Sequence, residues 1–185
     1  MYIMLNYGYT LIGASLLMAP ISVLGSDESD LLSKSRALVA DYATQLQGAL
    51  QEAMQSGGPV AAIAVCKDVA PRIASDLSES SGATVGRTSL RYRNPANAPA
   101  EWQSTVLASF DGGSTEFSET TDSGEFRYMK PIPTGALCLT CHGETLVPEI
   151  AQAIDTAYPD DLARGYQAGD IRGAFSVTWP PPDAD

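Results

Sequence analysis

The chain has 185 residues, 44% hydrophobic and 18% charged, with 22 acidic against 11 basic side chains and a net charge of −11. That is the make-up of an ordinary globular protein with length for one real core, and it excludes a disordered or collagen-like chain. The acidic balance argues against nucleic-acid binding, which needs clustered Lys and Arg, and suits a solvated surface or a basic docking partner.

Residues 1–25 carry no charge, and Leu11 to Ala19 is an apolar run. Val23-Leu24-Gly25 precedes the abruptly polar Ser26-Asp27-Glu28. The stretch is expected to be a secretory signal peptide or an uncleaved membrane anchor, although it lacks the usual Lys or Arg near its start. The expected organisation is a leader over 1–25 and one domain over 26–185. The expected location is the periplasm or another exported compartment, with membrane contact only through an uncleaved leader.

Asp30 to Ser56 reads as an amphipathic helix, with Leu31, Leu38, Tyr42, Leu46, Ala49, Leu50 and Ala53 at three- and four-residue steps. Gly57-Gly58-Pro59 is expected to stop it. Val60 to Lys67 is small and apolar, and Pro71 suits the first turn of a further helix to about Ser78. From Thr84 to Arg93 the period changes. Arg87, Ser89, Arg91 and Arg93 alternate with Thr88, Leu90 and Tyr92, which predicts a strand with three arginines on one face. Asn94 to Pro99 is a turn and Glu101 to Phe110 a short helix. Thr115–Thr121 and Glu125–Ile132 flank Asp122-Ser123-Gly124 as a hairpin. Pro148 to Tyr158 reads as a helix, and Gly173 to Trp179 as a closing strand. Helices first and strands after predict an α+β fold.

Cys138-Leu139-Thr140-Cys141-His142 carries the chemistry. C-x-x-C-H is the pattern of a covalent c-type haem site, in which two thiols take the vinyl groups and the imidazole lies beneath the iron. His142 is the only histidine of the chain, and Cys66 is the third of its three cysteines. One covalent haem c, with Cys138 and Cys141 as thioethers and His142 as proximal ligand, is the expected cofactor. The second axial position decides the function. Without a second histidine the candidates are Cys66, Met129, Met54, a lysine, water, or nothing, and Met54 and Met129 also read as core residues. Arg87, Arg91 and Arg93 are candidates for the haem carboxylates, since guanidinium forks match that geometry, or for an alternating solvent face. Tyr128, Tyr92 and Trp102 line the haem or fill the core, with core the better reading for Trp102.

Several stretches resemble the Tll0287-like haem family, exported domains with a PAS-like core. They are Ala64-Val65-Cys66, Gly86 to Pro95, Asn97-Ala98-Pro99 with Trp102, Tyr128 to Ile132, Cys138 to Gly143, Tyr158 to Asp161, and Gly169 to Val177. The resemblance implies a PAS-like antiparallel sheet flanked by helices behind a long N-terminal helix. It also implies one covalent haem and a His/Cys axial pair, which carries over as His142 proximal and Cys66 distal.

The expected function is therefore that of an exported mono-haem c-type cytochrome, acting as a redox or small-ligand sensor or as a low-potential electron-transfer protein. With both axial positions filled no catalytic residues are expected, and the chain is not expected to be an enzyme. The partner is a redox or signalling protein, with CO or NO as a candidate gas ligand. Two other readings stand beside this one. One is a diffusible electron-transfer cytochrome with Met129 or no protein group as sixth ligand. The other is a zinc site of Cys66, Cys138, Cys141 and His142, although the adjacency of Cys141 and His142 makes tetrahedral closure awkward. A thioredoxin-like C-x-x-C site is disfavoured, since the motif is not expected to open a helix after a strand.

Overall fold

The computed structural model describes residues 24–182, and residues 1–23 of the expected leader lie outside the described residues. Helix α1 runs over Leu24–Ala64. Its apolar repeat faces inward: Val39, Tyr42 and Leu46 join the main core, and Leu31, Leu38, Ala49 and Leu50 pack against it. Two polar contacts fix the helix to its neighbours. The Trp179 indole N–H donates to Ser35 Oγ at 2.9 Å, and the Tyr42 hydroxyl donates to the Ala70 carbonyl at 2.9 Å.

Gly57-Gly58-Pro59 kinks this helix instead of ending it. Gly58 (φ 68°, ψ −166°) takes a backbone region that glycine alone enters readily. Pro59 then opens the resumed helix, where its missing N–H is not needed. Helix resumes because Ala62, Ile63 and Val65 are buried. An Ile or Val side chain taken from water is worth about 1.5–3 kcal/mol, more than the roughly 1 kcal/mol a glycine costs in a helix.

A wide π-helical turn, Val65–Val69, follows. Pro71 explains it: the ring has no N–H for the Lys67 carbonyl and crowds that oxygen, so the preceding turn opens out. Helix α2, Ala70–Ser81, ends at Gly82 in the left-handed conformation, one turn beyond the expected end.

The sheet has strands β1 (Thr84–Thr88), β2 (Phe117–Thr120), β3 (Phe126–Pro133) and β4 (Ile171–Trp179), all antiparallel, in the order β1-β4-β3-β2. The expected hairpin and closing strand are present. The first strand, expected to reach Arg93, ends at Thr88. There the backbone leaves the sheet: Ser89 N–H bonds to the Asn97 carbonyl, and Asn94 caps a short 3-10 turn over Pro95–Asn97. Alternation of residue types runs on past the last ladder bond, so Arg91 and Arg93 do not share a strand face with Arg87.

Helix α3 (Glu101–Phe110) buries Val106, Leu107 and Phe110 against Met129 and Ala174 on one face of the sheet. Helices α1 and α2 cover the other face, where Val85, Tyr128, Phe175 and Val177 meet Tyr42, Ile73 and Leu77. Helix α4 (Ala136–His142) follows β3, and α5 (Pro148–Ala157) packs Ile150 and Ile154 on Ile63. The architecture is the expected α+β one, an antiparallel sheet flanked by helices behind a long N-terminal helix. Among the described residues no helix is long and apolar enough to cross a membrane.

Candidate functional site

A cleft opens between α1 on one side and the β3–α4 segment on the other. It has three compartments of about 640, 90 and 60 Å³, and Arg87 and Arg172 line all of them. The largest lies within the size range of cofactor pockets. Cys138 lines the two larger compartments and Cys141 the middle one. Three residues apart on α4, the two thiols belong to one helical face.

His142 ends α4. The ring is buried, 8% exposed. Its Nδ1 donates to the Ala163 carbonyl at 2.8 Å, which leaves Nε2 as the acceptor, facing Arg172 Nη1 at 3.4 Å. Burial, then the Arg172 and Arg93 charges, lower its pKa to about 2, so the imidazole is neutral and offers a lone pair. Gly143 follows because a Cβ there would lie 2.6 Å from the Leu139 carbonyl oxygen.

The loop that holds the imidazole is itself tied down. Arg93 Nε donates to Asp161 at 2.9 Å, and its Nη2 donates to the Cys141 carbonyl at 2.6 Å and the Ala163 carbonyl at 3.2 Å. Asp161 also accepts from Arg164 and from Ala163 N–H. Burial works to raise the Asp161 carboxyl, but the hydrogen bonds from Arg93 and Arg164 outweigh it and hold it below the usual carboxylate range. Backbone bonds from Gly165 N–H to the Gly143 carbonyl and from Tyr166 N–H to the His142 carbonyl complete the frame.

Cys66 faces the same cleft from the π-helical turn and lines the middle and smallest compartments together with His142. It is half-buried and, like Cys138 and Cys141, a free thiol. Met54, which reads as core from its spacing, lines the middle compartment instead.

The three candidate arginines separate. Arg93 is committed to the Asp161 pair and to two backbone carbonyls, so it positions the His142 loop. Arg91 is exposed and stacks its guanidinium on the Tyr166 ring at 4.3 Å. Arg87 points into the cleft with Nε buried and without a hydrogen-bond partner. Arg172, in the last strand, repeats that arrangement with its own buried, unpartnered Nε. Burial first, then the neighbouring Arg87 cation, push the Arg172 pKa below its ordinary value. Sequence reasoning passed over Arg172, whose one signal was its place inside the Gly169 to Val177 stretch.

Other candidates are corrected by their surroundings. Met129 is fully buried against Val106, Leu107 and Phe110, in the core on the α3 side of the sheet, so it is no ligand for this cleft. Tyr128 is fully buried and lines the largest compartment, but its hydroxyl donates to Glu116 at 3.0 Å. Burial and that carboxylate push its pKa up to about 12. Tyr92 lines the smallest compartment, and Trp102 packs beside Phe117 under the α3 core.

Among the described residues no three His, Cys, Asp or Glu side chains converge to hold a metal ion. Contrary to expectation, the C-x-x-C motif does sit in a helix just after a strand. The sheet is antiparallel throughout, however, and lacks the parallel β-α-β unit in which such redox motifs sit. A neutral imidazole, three free thiols and two arginines with unpartnered Nε atoms thus line one cleft.

The family described as Tll0287-like matches residues 26–180. Among solved structures, that of the cyanobacterial heme-protein Tll0287 is similar, with 26% sequence identity and a TM-score of 0.65. The match covers 82% of this chain and 95% of that one. No curated protein matches the chain.

Proposed function

Because the chain belongs to the Tll0287-like family, we propose that it is an exported mono-haem c-type cytochrome, with His142 and Cys66 as axial ligands, that works as a redox sensor or low-potential electron carrier. One observation carries the reading: His142 and Cys66 line the same compartment as both C-x-x-C thiols. The solved neighbour is itself a heme protein, which supports the same cofactor.

Cys138 and Cys141 hold the group through thioethers. His142 offers Nε2, the lone pair that Arg172 Nη1 otherwise meets. Its Nδ1–H bond to the Ala163 carbonyl fixes the tautomer and orients the ring. Cys66 supplies a thiolate, an anionic donor that favours the ferric state. When bound, the haem supplies one-electron redox chemistry and, if an axial position opens, a place for a diatomic gas such as CO or NO. Cys66 sits in a widened helical turn without a hydrogen bond, and its departure on reduction would pass redox state into the backbone of that turn. With both axial positions filled there is no place for substrate, so the protein is read as a carrier or sensor and not as an enzyme. Its partner is a redox or signalling protein that meets an acidic surface, in the periplasm or an equivalent compartment.

The test is absorption and EPR spectroscopy of the holoprotein and of Cys66→Ala. The expected result is a low-spin thiolate signal that disappears in the variant while the haem stays attached. A low-spin thiolate signal that survives the substitution overturns the ligand assignment.

A further inference from the structure

The buried, unpartnered Nε atoms of Arg87 and Arg172 demand an explanation. A buried donor without an acceptor costs about 1–3 kcal/mol, more when charged. Here two cations share one cleft, and neither is paired with a carboxylate among the described residues. Their arrival on one face is also unusual. On β1, Arg87 follows the core residue Val85 by two positions, so it shares the α1-facing side. On β4, Phe175 and Val177 face α1 whereas Ala174 faces α3, and strict alternation would send Arg172 toward α3 as well.

A bulge prevents that. Pro131 pairs with Ala174 but Pro133 pairs with Ile171, so β4 holds one residue more than β3 across this step. The parity of the strand inverts: Ile171 packs on the α3 side, and Arg172 is turned into the cleft beside Arg87. Gly173 makes this possible, since a Cβ there would lie 2.4 Å from the Thr88 carbonyl oxygen.

We propose that Arg87 and Arg172 form a single cradle for the paired carboxylates of the porphyrin edge, aimed by the bulge at Gly173, and that the cradle selects a diacid porphyrin over its neutral ester. The inference rests on the haem reading and deepens it. Arg91, stacked on Tyr166, and Arg93, committed to Asp161, stand outside the cradle. A charge-assisted guanidinium–carboxylate fork is the interaction that satisfies an orphaned Nε–H and neutralises its cation together.

The test titrates the full-length apoprotein, by tryptophan quenching, with ferric protoporphyrin IX and with its dimethyl ester. The wild type is expected to bind the diacid roughly tenfold or more tightly than the ester. Arg87→Gln and Arg172→Gln should each remove most of that preference with little change in ester binding. Arg172→Lys should retain part of it, and Arg91→Gln all of it. Equal affinity of the wild type for the two porphyrins overturns the cradle while leaving haem binding intact, and this comparison needs no variant to fold. A preference that persists in the Arg87→Gln/Arg172→Gln double variant overturns it too. If neither porphyrin binds, and the chain expressed with a haem-attachment system shows no Soret band, the haem reading itself falls and the cradle with it.

Discussion

On the α4 side of the cleft, His142 is held by a hydrogen bond to Ala163, and that carbonyl is held by Arg93, which is held by Asp161. On the α1 side, Cys66 sits in a π-helical turn between a glycine kink and a proline, and its thiol makes no hydrogen bond among the described residues. Both side chains line one compartment, yet one is anchored through three successive polar contacts and the other through backbone alone. The contrast suits the two different ligand roles proposed for them. A permanent ligand gains from a stiff surround that fixes its ring plane and tautomer. A ligand that comes and goes needs an element that can shift without breaking buried bonds, and widened turns inside helices often mark such places.

The largest expected effect falls on the anchored side. Arg93 and Asp161 are 9% and 2% exposed, so Arg93→Ala takes one of two arginines from a buried carboxylate and also removes the bonds to the Cys141 and Ala163 carbonyls. Such a loss costs about 3 kcal/mol, since Arg164 still pairs with the carboxylate. Urea unfolding should show it as a lower midpoint at unchanged slope, and a loss under about 1 kcal/mol would mean that the proximal frame is not stiff.

An intermediate effect is expected at the kink. No neighbouring atom obstructs a Cβ at Gly58, so Gly58→Ala tests backbone strain alone, worth about 1–3 kcal/mol in this region. Because the kink sets where the next helical turn begins, the same variant should also alter the EPR signature assigned to Cys66. An unchanged spectrum would disconnect the kink from the distal ligand.

The smallest effect is expected for Cys66→Ala in the apoprotein. A half-buried thiol without a polar partner should contribute less than about 1 kcal/mol. A loss as large as that of Arg93→Ala would erase the contrast between the two sides.

Much of the local structure follows from residue types. The inward repeat of α1, the ends of α3, the hairpin around Gly124 and the closing strand were all readable, because each is signalled within a dozen residues by apolar spacing or turn chemistry. Boundaries that depend on distant partners were not readable. β1 stops at Thr88 because Ser89 bonds to Asn97 and to the Arg172 carbonyl, the latter on another strand far along the chain. Helix resumes after Gly58 because Ile63 finds Ile150 and Ile154.

The site divides in the same way. By itself the sequence determined the C-x-x-C-H motif, the lone imidazole and the third thiol, since a motif consists of residue types at fixed spacing. The tertiary structure alone decided which arginines face the cleft, removed Met129 to the α3 side and brought Met54 to the cleft wall. The physical reason lies in strand parity. A single bulge at Gly173 inverts the facing of β4, and it becomes visible only when β4 is laid against β3.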